Sequence, residues 1–308
     1  MKNPSLSVEI GKLKLKNPLI AASGTFGYAQ EFQDLLDLRK IGAIITKTIT
    51  LSPRKGNPPP RTVETPSGML NSIGLENPGI DIFLKEKLPF LKRMATPIIV
   101  SIMAENIDGF KELAKILDKT KEVMAIELNL SCPNITHATN NTKLIAQDPK
   151  ATYEAVEAVR SQTHKTLIAK LSPNVTDITE IARVAISAGA DALSLINTFF
   201  AMAIDIKTKS PALGSATGGL SGPAIKPIAL YMVWQLYKEI KSPIIACGGI
   251  MTAQDAIEFM LAGANAVAVG TANFINPRVT IEIIEGLKAY LIKNKIKDIK
   301  ILRGAIKA

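Results

Sequence analysis

The stretch IIACGGIMTAQDAIEFMLAGANAVAVGT, residues 244–271, decides the fold. It opens on a short apolar run, 244–247, and closes on another, 266–269. Each is followed at once by glycine, and each has the length and branching of a buried strand. Between them, residues 253–262 carry apolar positions at helical spacing. Thr252 is placed as the N-cap, and "LAGAN" at 261–265 closes the helix on Gly263. Working outward, the same unit recurs. "SAGAD" at 187–191 repeats the helix-closing turn, and Asp177 is placed as another N-cap. Candidate strands are 19–22, 43–48, 98–103, 123–130, 167–171, 192–197, 244–247 and 266–269. Helical patterns fall at 31–38, 80–91, 107–117, 149–163, 177–188, 223–240, 253–262 and 279–292. Eight strands alternating with eight helices predict an α/β fold, a (β/α)8 TIM barrel. A doubly wound sheet is the rival, but the GxGxxG turn expected after an early strand is missing.

Two segments interrupt the alternation, 50–79 and 199–222. Both follow strands, so in a barrel both are expected as hairpin or loop insertions at the C-terminal face, where long loops tend to be functional. No linker divides the 308 residues, and a single domain over 1–308 is expected.

Composition narrows the class. The chain is 47% hydrophobic and 21% charged, with 5% aromatic residues. That suits an Ile/Leu/Val/Ala sheet covered by helices. Two cysteines and two histidines make a zinc or iron–sulfur site within this chain unexpected, so no metal is assigned. No apolar run reaches 18 residues and the N-terminus lacks an apolar h-region, so a soluble, cytoplasmic protein is expected. Net charge is +10, much of it in residues 288–307, where a solvated helix face is the simplest account.

Chemistry-bearing residues cluster at strand ends. Gly248 and Gly249 end strand seven, and Gly270 and Thr271 end strand eight. Barrels often hold phosphate there, on backbone N–H groups that glycine lets approach closely. Lys47 and Lys170 lie among apolar residues at the ends of strands two and five, where an ammonium is costly without an anion to meet it. They suit a carboxylate or an anionic ring, or a Schiff base. Asn71, Asn129 and Asn197 put neutral amides at the same mouth, able to read a flat polar ring. Cys132 follows strand four. Position alone leaves it balanced between a turn residue and a base or nucleophile.

With these residues in view, the chain resembles the dihydroorotate dehydrogenases, FMN enzymes of pyrimidine synthesis, and within them the type 1B catalytic subunits. The resemblance runs from about residue 5 to 290. It rests on "AASGTFGY" (21–28), "ITKTITLSPRKGNPPPR" (45–61), "GMLNSIGLENPG" (68–79), "ELNLSCPN" (127–134), "AKLSPN" (169–174), "LINT" (195–198), "TGGLSGPAIKP" (217–227), "CGGI" (247–250) and "AVAVGTANF" (266–274). A Cys at 132 sets it apart from the type 2 enzymes, which use Ser. "NSIGLENPG" and "GGLSGPAIKP" favour type 1B over the fumarate-linked type 1A.

The resemblance implies roles. FMN, one per chain, would be held by Ser23, Lys47, Thr48, Asn129, Lys170 and Ile196, and by Gly222, Gly248, Gly249, Gly270 and Thr271. Ser101 is added with one hydrogen bond to offer, since "VSIMA" (100–104) stands where the family often has an Asn-containing run. Dihydroorotate would meet Lys47, Asn71, Ser72, Ile73, Gly74, Leu75, Asn129, Asn197 and Thr198. Cys132 would be the general base, taking the C5 proton while hydride passes from C6 to flavin N5, with Lys170 offsetting charge near N1. FAD, a 2Fe–2S cluster and the link to NAD are expected only on a partner subunit, joined to a homodimer in a heterotetramer; neither nucleic acid nor membrane is expected as a partner. The loop after Cys132, "ITHATNNTKLIAQDP" (135–149), departs from the family by lacking glycine. Three other readings compete: an FMN barrel of the tRNA-dihydrouridine synthase type, which the +10 charge would suit; a Schiff-base enzyme using Lys170; and an idle scaffold barrel.

Overall fold

The computed structural model describes residues 3–130 and 144–307. Eight strands close into a parallel barrel: β1 (Leu19–Ala21), β2 (Ala43–Ile45), β3 (Ile98–Ile102), β4 (Val123–Asn129), β5 (Thr166–Lys170), β6 (Ala192–Leu195), β7 (Ile244–Cys247) and β8 (Ala266–Val269). Each pairs with the next in sequence. The ring closes where Val267, Ala268 and Val269 of β8 meet Leu19, Ile20 and Ala21 of β1. The predicted (β/α)8 architecture is therefore the observed one.

The strands end sooner than their apolar runs. Beyond those ends, Lys47 and Thr48 follow β2 and Ile196 and Asn197 follow β6, and all four border the mouth. The helices follow from capped, periodic sequence. In Ile107–Asp118 the Asn106 side chain accepts from the Gly109 N–H at 2.8 Å. Phe110, Leu113, Ala114 and Leu117, at helical spacing, are buried against the sheet. Asp177 and Thr252 both act as N-caps, on Ile178–Ser187 and Ala253–Ala262. Gly263 closes the latter helix with φ of 124°, a backbone conformation that L side chains rarely adopt.

Two expectations need correction, and a third holds with a local change. The helix expected at 31–38 is replaced by 3-10 turns at Gln30–Phe32 and Leu38–Lys40. The Asp37 side chain caps the second turn by accepting from the Arg39 N–H, and so restarts the chain. Eight residues so interrupted cannot sustain a helix. The helix expected at 80–91 is present, as Ile80–Ile82 and Leu88–Arg93 joined by a π turn, Phe83–Lys87. The basic tail is not one solvated helix. Val279–Lys293 ends at Asn294, and a 3-10 turn, Ile299–Leu302, buries Ile299 and Leu302 while Ile299 N donates to Ser5 O at 3.0 Å.

The opposite ends of the barrel differ. A hairpin, Val8–Ile10 with Leu13–Leu15, buries Ile10, Leu13 and Leu15 near the start of β5, where Lys12 N donates to Thr166 Oγ1 at 3.0 Å. At the C-terminal face the two insertions join. Thr62–Thr65, Gly68–Asn71, Gly218–Ser221 and Phe199–Ala201 form one antiparallel sheet, with Asn71 opposite Gly219. Among the described residues, no helix is long and apolar enough to cross a membrane.

Candidate active site

The mouth of the barrel holds a cleft of about 1180 Å³, its opening included. Its floor and walls are strand ends, and the antiparallel sheet borders one side.

At one end lies a glycine cradle. Gly222, Gly248 and Gly249 have φ of 94°, 132° and 70°. A Cβ on Gly249 would stand 2.6 Å from Lys226 Cβ and 2.9 Å from Gly222 O. The chain after β7 is thus pressed against the start of the helix Lys226–Glu239, and only glycine allows it. Gly270 and Thr271 border the same end, where Thr271 Oγ1 donates to Ser221 Oγ at 2.8 Å. Converging backbone at a helix start is the arrangement that receives a phosphate. The cradle is fastened from outside: Lys226 Nζ pairs with Asp255, and with Glu258 at 2.7 Å.

The opposite wall is polar and nearly dry. Asn129 Nδ2 donates to Thr48 Oγ1 at 3.1 Å, and Thr48 Oγ1 is 3.0 Å from Ser101 Oγ. Ser23 borders the cleft 3.5 Å from the same Thr48 hydroxyl. Ser101 is fully buried and does not border the cleft, so it reaches any ligand only through Thr48. Lys47 is half-buried in the wall. Burial pushes its ammonium below the ordinary lysine value, with Glu76 pulling the other way. Lys170 also borders the cleft, with 7% of its surface exposed, and its Nζ lies 3.9 Å from the Glu127 carboxylate. Cys247 lies beside them. Burial raises its thiol pKa, Lys170 opposes this and Glu127 adds to it.

The amides converge as expected. Asn71 donates through Nδ2 to Gly219 O at 3.2 Å, which ties the two insertions together at the rim. Ile73 and Leu75 border the cleft beside it. Ser72 and Gly74 do not. Ser72 bonds Asn57 and Ser215 behind the wall, and Gly74, at φ 72°, packs its backbone on Asn57. Across the mouth stand Ile196, Asn197 and Thr198. Asn174 braces them by donating to Thr198 O at 3.0 Å while accepting from Phe200 N at 2.9 Å.

Cys132 lies outside the described residues, as does most of the glycine-free loop. The described remainder returns to the barrel, where Ala146 N donates to Leu130 O at 2.9 Å. Sequence reading missed Glu127 and Asn174. The available signal for Glu127 was a carboxylate inside the otherwise apolar run 123–128.

A closed parallel barrel that gathers glycines, lysines and amides around one cleft at its strand ends defines a TIM-barrel protein with its candidate site at the C-terminal face. Residues 5–291 match the dihydroorotate dehydrogenase family. The chain is 56% identical over 306 residues to a protein of Geotalea uraniireducens, covering 99% of each chain. It is 56% identical over 307 residues to one of Geotalea daltonii, covering 100% of each. A Thermodesulfovibrio yellowstonii protein is 52% identical over 304 residues, 99% of each chain. All three relatives are named as catalytic subunits of dihydroorotate dehydrogenase B (NAD(+)). The chain belongs to the dihydroorotate dehydrogenase family.

Proposed function

We propose that this chain oxidises (S)-dihydroorotate to orotate in pyrimidine synthesis, as an NAD-linked type 1B catalytic subunit. The observation that carries the reading is the meeting of the glycine cradle with Lys47, Lys170, Asn71, Asn129 and Asn197 around one cleft, in a chain of this family. The tRNA-modifying alternative is not favoured by those relatives.

The residues present fit FMN. The cradle that a Cβ would fill suits its phosphate, and the nearly buried Lys170 suits the electron-rich edge of its ring. Gly222, Gly248, Gly249, Gly270 and Thr271 would hold the phosphate. Ser23, Thr48, Asn129, Lys170 and Ile196 would line the ring, with Ser101 steadying Thr48. Bound FMN would supply the acceptor for the hydride of C6.

The rest is done by this chain's own residues. Lys47 faces the substrate carboxylate as a cation. Asn71, Asn129, Asn197 and Thr198 fix the ring through its amide edges, with Ile73 and Leu75 against its face. Cys132, as thiolate, takes the C5 proton and becomes a neutral thiol. A free thiol ionises near pH 8.5, so the step quickens as pH rises towards that value.

A partner subunit carrying FAD and a 2Fe–2S cluster would supply the route for electrons to NAD, in a heterotetramer built on a homodimer. Phe200, Met202, Ile204 and Ile206, exposed on and beside the antiparallel sheet, offer an apolar face for subunit contact. The assembly would work in the cytoplasm as a single-domain chain with its partner. The test is anaerobic turnover of the purified chain. One orotate should form per bound flavin and then stop, with NAD reduced only once the partner is added. NAD reduction by this chain alone would contradict the division of labour.

A further inference from the structure

Glu127 lies in β4 two residues before Asn129, so strand periodicity puts both on the inward face of the barrel. It is fully buried, and neither carboxylate oxygen has a hydrogen-bond partner among the described residues. The cation beside it is Lys170, 3.9 Å away. Lys170 occupies the end of β5 and borders the cleft; Glu127 does not border it. Ser194, opposite Lys170 in the β5–β6 register, is also buried, its hydroxyl without a hydrogen-bond partner among the described residues. A carboxylate stripped of water is retained as a charge only where a cation meets it. A well-packed apolar pair would often be at least as stable as a buried ion pair, so stability alone does not account for an acid here. Both charges reach the cleft wall: the thiol of Cys247, which borders the cleft, feels Lys170 and Glu127 in opposite senses.

We propose that Glu127 is a positioning residue for Lys170, holding its ammonium at the cleft wall and setting how much positive charge it presents to the ring bound above. This rests on the flavin reading of the cleft. Removing the carboxylate takes away a negative charge 3.9 Å from the Lys170 ammonium. The electron-rich, reduced form of the ring is then favoured over the oxidised form.

The test uses the FMN-loaded protein and reads the flavin reduction potential. Glu127→Gln keeps the side-chain shape and removes the charge. The expected result is a tenfold or larger shift of the equilibrium towards reduced flavin, a rise of about 30 mV or more for a two-electron couple. Glu127→Asp keeps the charge one methylene farther from Lys170. It should move the potential in the same direction by a smaller amount, and it decides the matter should Glu127→Gln not fold. A potential that stays put or falls in a variant that retains flavin overturns the inference. A parent protein that neither carries nor binds FMN overturns the reading of the cleft instead, so the two failures are distinct.

Discussion

Replacing Gly249 by alanine tests the phosphate cradle where its geometry is tightest. The new Cβ would lie 2.6 Å from Lys226 Cβ, 3.0 Å from Lys226 Cα and 2.9 Å from Gly222 O, at a φ of 70°. Two of those three atoms are backbone, and Lys226 is held by Asp255 and Glu258, so the neighbours yield little. The left-handed conformation costs an alanine about 1–2 kcal/mol. Overpacking adds about 1–3 kcal/mol, giving a total of roughly 2–5 kcal/mol. The strain is relieved by moving the segment after β7 away from Lys226, which opens the cradle. At tenfold per 1.4 kcal/mol, FMN affinity of the apoprotein should fall by roughly 30-fold or more. Gly270→Ala is the matched control. Its Cβ would find nothing nearer than 3.7 Å, so the fold should tolerate it. Thermal melting and FMN fluorescence titration separate the two. Gly249→Ala should lose melting temperature and FMN affinity together, whereas Gly270→Ala should melt as the parent does and lose affinity only to the bound phosphate. Gly249→Ala that binds FMN as tightly as the parent refutes the cradle.

Other outcomes follow from the same site. Cys132→Ser should retain FMN and orotate binding while flavin reduction by dihydroorotate slows by at least ~100-fold, the usual worth of a positioned base; an unchanged rate in anaerobic stopped flow removes Cys132 from the chemistry. Lys47→Met should weaken orotate binding by ~10-fold or more, as loss of a charged hydrogen bond does. In the parent, burial lowers the Lys47 pKa. The cation that holds orotate is therefore present below that lowered value and lost as pH rises through it, so orotate affinity should fall at a pH below ordinary lysine titration; calorimetry showing a flat profile up to that point contradicts the assignment. Asp255→Asn should lower stability by about 1–3 kcal/mol in urea unfolding. Burial raises the Asp255 pKa, but Lys226, the Met251 N–H and the Thr252 side chain outweigh it and leave the carboxyl below its ordinary value. Its stabilisation is thus full above the ordinary aspartate range and lost as pH falls through the lowered value, and the variant should lack that acid-side loss.

The barrel was legible because its strands are continuous apolar runs with capped helices between them, and tertiary packing had only to confirm that pattern. Strand ends were legible less well. Residues 46–48 and 196–197 read as strand by composition, yet β2 ends at Ile45 and β6 at Leu195, and Lys47, Thr48, Ile196 and Asn197 line the mouth. The antiparallel sheet was illegible: it pairs Asn71 with Gly219, 148 positions apart, and neither partner signals the other. The segment 31–38 misled because Phe32, Leu36 and Leu38 are buried through turns rather than a helix face. At the site, residue type and strand-end position were enough to place Lys47, Lys170, Asn71, Asn129 and Asn197 around one cleft. They were not enough for Ser101, which stands one hydroxyl behind the cleft, or for Glu127, whose role depends on a neighbour in the next strand.

FMN held in this cleft would accept the electrons of dihydroorotate. The most direct measurement is the visible spectrum of the purified chain under anaerobic conditions. Flavin bands should bleach when dihydroorotate is added, with orotate recovered in equal amount. Flavin bands that stay oxidised in the presence of dihydroorotate would contradict the substrate, and a colourless protein that takes up no FMN would contradict the site.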